Sequence, residues 1–184
     1  MLGFYLSMLD TDEERNLLTE IYEEHQYRCL QAAMKITKNR EDAEDAVHEA
    51  FICLINNRDL LKLPREKIKH LLITIAKRRA IDIVRKRERS ATEAWDDMED
   101  FPSMDESIDL QIEKAEDFKR LHTYLQVLNE RYSTILEMKY YSELSNEKIG
   151  QILGKTTRQV EQMLYRAKLK LREVIDDGGD ENDR

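Results

Sequence analysis

Glycine and proline are scarce in this chain of 184 residues, which has five glycines and two prolines. A β-rich domain needs many turns, and turns depend on those two residues, so their scarcity argues against a sheet protein. Residues that favour helices, such as Glu, Lys, Leu, Gln and Arg, are plentiful instead. The composition therefore predicts an all-α protein, with length for one ordinary domain or two small ones.

The chain has two cysteines, Cys29 and Cys53, and both lie within apolar helical patterns. They indicate no disulfide framework, and they fit the reducing cytoplasm. The apolar stretch 1–9 is shorter than the roughly 20 residues of a membrane span, and it lacks the basic start of a signal peptide. We expect a cytoplasmic chain without a membrane span, whose first residues are either a short docking segment or a frayed end.

Patterns typical of enzyme sites are also missing from the sequence. The four histidines are scattered and show no metal-ligand spacing with either cysteine, and no glycine loop of the phosphate-binding kind occurs. Surface helices are sufficient to explain the many carboxylates. We therefore expect no catalytic residues, no cofactor and no metal, and we do not expect an enzyme.

The formal net charge of −8 argues at first against a nucleic-acid partner, but the charge is segregated. Residues 62–89 hold 11 Lys or Arg against 3 acids, and residues 155–172 hold 6 against 1. Between them, residues 93–117 hold 11 acids against 1 Lys. DNA binding depends on the field at the contact face, which salt screens over about 8–10 Å, rather than on the total charge. Two basic faces are thus available for DNA, and a solvated surface is the alternative for each.

Helical periodicity divides the chain into two parts. It starts at a capping box formed by Thr11 and Glu14, and it leaves open whether the first long helix continues past His25. It lapses where acids, Ser, Met and Pro102 dominate, and it returns with Leu110. We predict two small helical domains, 1–89 and 118–176, joined by a flexible acidic linker, 90–117, and followed by an acidic tail, 177–184.

The stretch 144–172 predicts a helix-turn-helix, whose second helix enters the major groove of DNA. Ser145 is suited to cap a short helix, Gly154 to end it in the left-handed conformation, and Thr156 with Gln159 to open the next helix as a capping box. Arg suits guanine, Gln suits adenine, and a carboxylate accepts a hydrogen bond from cytosine. Basic side chains farther along the helix suit phosphates. A plain helical hairpin is the alternative. The DNA-binding candidates are Thr156, Thr157, Arg158, Gln159, Glu161, Gln162, Tyr165, Arg166 and Lys168.

This C-terminal stretch resembles region 4 of bacterial RNA polymerase sigma factors over about residues 125–173. The family usually has Pro where Asn129 stands, and it often has a basic residue where Glu161 stands. The resemblance implies that this domain reads the upstream (−35) promoter element and touches the polymerase flap. Its markers are Leu128-Asn129-Glu130-Arg131, Tyr140, Leu144-Ser145, Glu147, Ile149, Ile152-Leu153-Gly154, Val160 and Leu164-Tyr165-Arg166-Ala167-Lys168.

The first domain is similar to region 2 of the same family, over about residues 18–89. The segment Asp42–Phe51 resembles the helix that docks on the polymerase clamp, although the family commonly has Gln where His48 stands. The spacing of its acids places them on one helix face, which can steer toward a basic partner; a solvated outer face is the alternative. The candidates for binding core polymerase are Asp42, Asp45, His48, Glu49 and Phe51.

The segment 68–87 resembles the family's helix for the downstream (−10) promoter element, and the loop 56–63 corresponds to its pocket for a flipped base. The family often has Trp where Leu71 stands and Asn where Arg78 stands. No aromatic residue lies between Pro64 and Arg89, so the helix offers unpaired bases no platform for stacking. The candidates for −10 contacts are Asn56, Asn57, Arg58, Lys77, Arg78, Arg79, Arg85, Lys86 and Arg87.

The order of the two regions and the acidic linker resemble the minimal two-domain, extracytoplasmic-function type of sigma factor. The resemblance implies three partners: core RNA polymerase, promoter DNA and an anti-sigma protein. Because the acidic segments oppose unassisted DNA binding, we expect the free protein to bind promoters weakly. Two other functions stay open, a sigma mimic that sequesters an anti-sigma protein and a helix-turn-helix repressor that acts without polymerase.

Overall fold

The computed structural model describes residues 1–89, 124–125 and 128–179 of the chain. Every regular element in these ranges is helical, and the helices form two units, each of which is described by itself. The prediction of an all-α protein with two helical domains and a helix-turn-helix is confirmed. The predicted linker, 90–117, and the end of the predicted tail, 180–184, lie outside the described residues. Among the described helices, none has the length and apolar character that crossing a membrane requires.

The first unit consists of four α-helices and one 3₁₀ helix. Helices α2, α3 and α4 pack against one another in pairs and form its core, while α1 packs against α2 and α3. The elements are α1 (Leu2–Ser7), α2 (Asp12–Thr37), α3 (Arg40–Asn56), the 3₁₀ helix (Arg58–Lys62) and α4 (Arg65–Arg89).

Polar side chains cap the N-termini of α2 and α3. Thr11 Oγ1 accepts a hydrogen bond from the Glu14 N–H at 3.2 Å, and Asn39 Oδ1 accepts one from the Asp42 N–H at 3.1 Å. Each cap satisfies a donor that the helix itself leaves without a partner, which is typically worth about 0.5–2 kcal/mol. These local signals therefore fix where the two helices begin.

Helix α2 runs without a break past His25, which resolves the point that its apolar pattern left open. His25 is 1% exposed and takes a core position one turn from Ile21 and Cys29. Burial disfavours the imidazolium, so the pKa of His25 lies below its ordinary value, and Glu24, 3.8 Å from Nε2, offsets only part of that effect. The apolar pattern did not indicate this core position, because histidine is polar.

The N-terminal segment is a docked helix rather than a frayed end. Tyr5 is 1% exposed, and its ring centroid lies 5.7 Å from those of Tyr22 and Phe51. Aromatic pairs of this kind add about 0.5–1.5 kcal/mol beyond the area they bury. A helix of six residues has no stability of its own, so these contacts with α2 and α3 hold it in place.

Among the described residues of the second unit, Tyr124 and Leu125 are helical, and a further helix and a π-helical turn precede the helix-turn-helix. The elements from Glu130 onward are α5 (Glu130–Leu136), the π turn (Glu137–Tyr141), α6 (Asn146–Leu153) and α7 (Thr157–Gly179). Both α5 and α6 pack against α7, which runs three residues past the boundary predicted at 176. The buried stripe of α7 is the predicted one, namely Val160, Leu164, Ala167 and Leu171.

Two glycines shape the turn between α6 and α7. Gly154 has a φ of 64°, the left-handed conformation that the sequence predicts at a helix end, and Ser145 caps the other end of α6 through the Lys148 N–H at 3.1 Å. Gly150 is needed for a different reason, because a Cβ there would lie 2.6 Å from the Lys155 carbonyl oxygen. The Lys155 N–H also donates to the Gly150 carbonyl at 2.9 Å, so the two backbones are in direct contact.

Candidate functional site

The first turn of α7 presents an exposed polar edge. Thr157 and Arg158 are exposed, at the end of the helix from which helix-turn-helix proteins contact bases. The predicted capping box is present: Thr156 Oγ1 accepts from the Gln159 N–H at 3.2 Å, and Gln159 Oε1 accepts from the Thr156 N–H at 2.9 Å. Bidentate reading of adenine needs both the oxygen and the nitrogen of the Gln amide, so this cap competes with base reading by Gln159.

The following turns of α7 carry the remaining candidates of the second unit. Lys168 Nζ lies 5.8 Å from the ring centroid of Tyr140, within cation–π range. Tyr140 belongs to the π turn, and its neighbour Lys139 donates to Asn146 Oδ1 at 2.8 Å. The sequence indicates Tyr140 only through the family resemblance, because its place beside Lys168 depends on the π turn. The half-buried candidates are Glu161, Gln162, Tyr165, Arg166 and Lys168.

Helix α3 carries its acids on one face, as their spacing predicts, and two arginines of α4 lie against them. Arg87 Nη1 is 2.8 Å from the Asp42 carboxylate, and Arg79 Nε is 3.2 Å from that of Glu49. The acids are candidates for binding polymerase, and the arginines are candidates for binding DNA. The structure therefore brings the candidates for binding polymerase into contact with candidates for binding DNA, which the sequence alone did not connect.

Helices α3 and α4 flank a cleft of about 450 Å³. We call the α3 side the acid wall; it consists of Asp42, Asp45, His48 and Glu49. The α4 side consists of Ile83, Lys86 and Arg87.

Phe51, the fifth candidate for binding polymerase, does not reach the acid wall. Its side chain is 0% exposed and lies among the aromatic rings of the core, with its ring centroid 5.1 Å from that of Tyr22. Because Phe51 faces inward, its structural role is to hold α3 against α1 and α2.

His48 links the acid wall to helix α1. The Tyr5 hydroxyl oxygen lies 2.9 Å from His48 Nδ1, and the two rings stack with centroids 5.4 Å apart. Burial, and then the neighbouring Tyr22, raise the pKa of Tyr5, so its phenol stays protonated.

The predicted base-flipping loop is partly helical and is tied to the N-terminal segment. Asn56 ends α3 and is exposed, whereas Asn57 Nδ2 donates to the Cys53 carbonyl at 2.9 Å. Arg58 begins the 3₁₀ helix and donates to Asp10 at 2.5 Å and to the Met8 carbonyl at 3.2 Å. The hydrogen bond from Arg58 lowers the pKa of the Asp10 carboxyl. The side chains of Asn57 and Arg58 thus have partners within the chain.

The basic candidates of α4 differ in their exposure. The Arg78 side chain is 15% exposed and pairs with Asp82 at 3.1 Å, so it lies largely within the unit. Lys77 and Arg85 are half-buried, while Lys86 is exposed near the end of the helix. Within the described residues, no cluster of three or more His, Cys, Asp or Glu side chains could hold a metal ion.

Two family models match the chain, one in each half. The model of Sigma-70 region 2 matches residues 21–90, and the model of Sigma-70, region 4 matches residues 118–171. RNA polymerase sigma factor SigV of Bacillus subtilis strain 168 is 31% identical over 161 residues, which cover 86% of this chain and 90% of SigV. The chain belongs to the sigma-70 family, as a sigma factor of the extracytoplasmic-function (ECF) type.

A second relative comes from the same organism as SigV, and one solved structure is also similar to this chain. ECF RNA polymerase sigma factor SigM of Bacillus subtilis strain 168 is 25% identical over 162 residues, 88% of this chain and 96% of SigM. The sigma factor RpoE, solved in complex with the anti-sigma factor NepR from Bartonella quintana, is 18% identical with a TM-score of 0.42, covering 90% of this chain and 98% of RpoE. Membership of the family confirms the resemblance drawn from the motifs, and it makes this sigma factor a DNA-binding regulator of transcription.

Proposed function

We propose that this sigma factor binds core RNA polymerase and directs initiation at promoters whose −10 and −35 elements it recognises. The observation that carries the proposal is the start of α7. There the reciprocal cap between Thr156 and Gln159 fixes the start of the second helix of the helix-turn-helix, where Arg158 is exposed. The same chain also contains region 2. Region 4 supplies upstream recognition, and region 2 supplies contacts to polymerase and to the downstream element.

The upstream element is read from the exposed edge of α7. Arg158 and Thr157 contact base edges, and Glu161, Gln162 and Tyr165 extend that row along the groove. Arg166 and Lys168 bind phosphates, which contribute affinity that is independent of sequence. Gln159 positions the helix start, because its amide oxygen is held by the Thr156 N–H.

Core polymerase binds at the acid wall. Asp42, Asp45 and Glu49 attract a cationic surface, and an arrangement of this kind raises association rates more than it raises affinity. His48 lies on the same wall, and Tyr5 holds its ring in place.

The downstream element is bound by the basic residues of α4 together with the turn after α3. Lys77, Arg79, Arg85, Lys86 and Arg87 contact the DNA backbone, while the exposed Asn56 offers hydrogen bonds to a flipped base. Since α4 offers no aromatic residue for stacking, we expect its binding to melted DNA to depend strongly on salt. A cytoplasmic location follows from this function.

An anti-sigma protein is the further partner that we propose, and the acid wall is the surface it would cover. Such a protein would compete with core polymerase for this sigma factor. A competition binding assay with labelled core measures this directly.

Run-off transcription from a promoter library with sigma-free core polymerase tests the proposal. We expect initiation that depends on this protein, at a shared two-part sequence. Arg158→Ala should relax the preference at one upstream position by about 1–3 kcal/mol. Arg172→Ala, which removes an exposed basic side chain farther along α7, should weaken DNA binding equally on all promoter sequences.

The opposite result would assign a different function. Folded protein that neither initiates transcription nor binds core would be a sigma mimic if it still binds an anti-sigma protein. Stable binding of the free protein to a palindromic site would indicate a repressor.

A further inference from the structure

The proposed polymerase surface and the proposed DNA surface of the first unit are paired with each other. Arg87 of α4 pairs with Asp42 of α3, and Arg79 of α4 pairs with Glu49 of α3. The Asp42 side chain is 17% exposed and that of Arg87 is 63% exposed. The carboxylate of this pair is therefore largely buried, while the guanidinium group is exposed to solvent.

We propose that the acid wall and the arginines of α4 form one shared surface, on which polymerase and DNA exchange ion pairs. A cationic segment of polymerase that binds Asp42 and Glu49 displaces Arg87 and Arg79. The displaced guanidinium groups then bind promoter phosphates. This inference rests on the proposed function, and it adds a coupling between the two partners.

The coupling follows from how the charges are balanced. In the free protein each arginine lies against a carboxylate, so a phosphate approaching it must compete with an existing partner. In the complex with both partners, each carboxylate faces a cation of polymerase, and each arginine faces a phosphate. Either partner therefore weakens the pairs that oppose the other, so the two bind with positive cooperativity.

The size of the effect is limited by the exposure of the pairs. The Glu49 and Arg79 side chains are 52% and 30% exposed, and pairs at such sites change an equilibrium by about twofold to fivefold. Two pairs together give about fourfold to twenty-five-fold, if their contributions add. This is enough to contribute to the weak promoter binding expected of the free protein.

The chain contains a matched control on the same helix. Glu44 of α3 pairs with Arg40 one turn earlier, at 2.7 Å, and that pair joins no second helix. Glu41 is exposed in the same first turn. The double variant Glu41→Gln/Glu44→Gln therefore changes the charge as much as Asp42→Asn/Glu49→Gln does.

The first experiment measures the affinity of the full-length protein for promoter DNA without polymerase, by fluorescence anisotropy at two salt concentrations. We expect Asp42→Asn/Glu49→Gln to bind about fourfold to twenty-five-fold more tightly than Glu41→Gln/Glu44→Gln, with a steeper dependence on salt. Equal affinities of the two variants, with circular dichroism showing both folded, would overturn the inference.

The second experiment uses the reciprocal change. Arg79→Gln/Arg87→Gln removes the competitors for the acid wall, so it should raise the affinity for core polymerase without DNA by a few-fold. The control Arg28→Gln/Arg40→Gln should leave it unchanged. Unchanged or weaker core binding by Arg79→Gln/Arg87→Gln would contradict the exchange.

Transcription by the wild-type protein distinguishes a failure of the ion-pair exchange from a failure of the proposed function. If it initiates while the variants match their controls, the exchange is wrong and the proposed function stands. If the wild-type protein neither binds core nor initiates, both are wrong.

Discussion

The Tyr5 hydroxyl oxygen and His48 Nδ1 are joined by a hydrogen bond of 2.9 Å, and this bond fastens the N-terminal helix to the helix that carries the acid wall. The two residues are far apart in sequence, yet their rings stack, and the Phe51 ring also stacks with that of Tyr5 at a centroid distance of 5.7 Å. Helix α1 is therefore part of the support of the proposed polymerase surface.

The first prediction concerns the stability that Tyr5 contributes. We expect Tyr5→Phe to lower the free energy of unfolding of the first unit by about 0.5–1.5 kcal/mol, because it removes one hydrogen bond. Tyr5→Ala should cost about 3–5 kcal/mol, because it empties a core position. Urea unfolding of the full-length chain, followed by circular dichroism, measures both. The neighbouring Phe4 is 57% exposed, so Phe4→Ala is the control and should change little; a Tyr5→Ala loss no larger than that would contradict the prediction.

The second prediction concerns pH. The pKa of His25 is lowered in the folded chain by burial, whereas in the unfolded chain it returns to about 6.5. Between those two values the unfolded state binds more protons, so the free energy of unfolding rises with pH there. The contribution is fully present above about pH 6.5 and is lost as the pH falls toward the folded pKa.

Urea midpoints between pH 7.5 and 5.5 test the role of His25. His25→Leu should lose less stability than the wild type over this range, because it has no proton to take up. All other groups are common to the two proteins, so their contributions cancel in the comparison. An equal loss in both would show that His25 is not the group responsible.

The third prediction concerns thiol reactivity. Burial raises the pKa of the Cys29 thiol to about 12, and alkylation requires the thiolate. We expect iodoacetamide at pH 8 to leave Cys29 unmodified in the folded protein and to modify it readily in urea. Peptide mass spectrometry distinguishes it from Cys53, which is also buried. Rapid labelling of Cys29 under native conditions would be inconsistent with its place in the core.

The fourth prediction compares the two glycines of the helix-turn-helix. Gly150→Ala should destabilise the second unit by about 1–3 kcal/mol, because its new Cβ meets the Lys155 backbone. Gly154→Ala should cost about 1–2 kcal/mol because of its positive φ, and Gly154→Asn should cost less, since Asn tolerates that conformation. Hydrogen exchange of the α6 and α7 amides measures the losses. Equal stability of Gly150→Ala and the wild type would refute the close approach.

Local signals account for most of what could be predicted from the sequence. The caps at Thr11, Asn39, Ser145 and Thr156, and the left-handed Gly154, act within one turn of their own helix. The apolar stripes of α3 and α7 repeat at helical spacing, so the buried faces could also be identified. For the same reason the exposed start of α7 could be recognised as a candidate DNA-reading edge.

What could not be predicted depends on contacts between distant segments. Helix α1 is held by Tyr5 against α2 and α3, and Gly150 is required by the backbone of Lys155. The pairing of Asp42 with Arg87 needs the packing of α3 on α4, which no single segment reveals. The candidates for binding polymerase and DNA were thus identified as separate sets, and their contact emerges in three dimensions.

The π turn at Glu137–Tyr141 gives the second unit a tolerance for length changes. Its ring closes from the Ser142 N–H to the Glu137 carbonyl at 3.0 Å, so this turn holds one residue more than a regular α-helical turn. We expect that removing one residue here would restore regular helical spacing and cost less stability than a deletion inside a packed helix. The same deletion within α7 would rotate every later side chain by about 100° and bring its polar edge into the core. Natural insertions and deletions among relatives should therefore collect at this turn and avoid the helix that follows it.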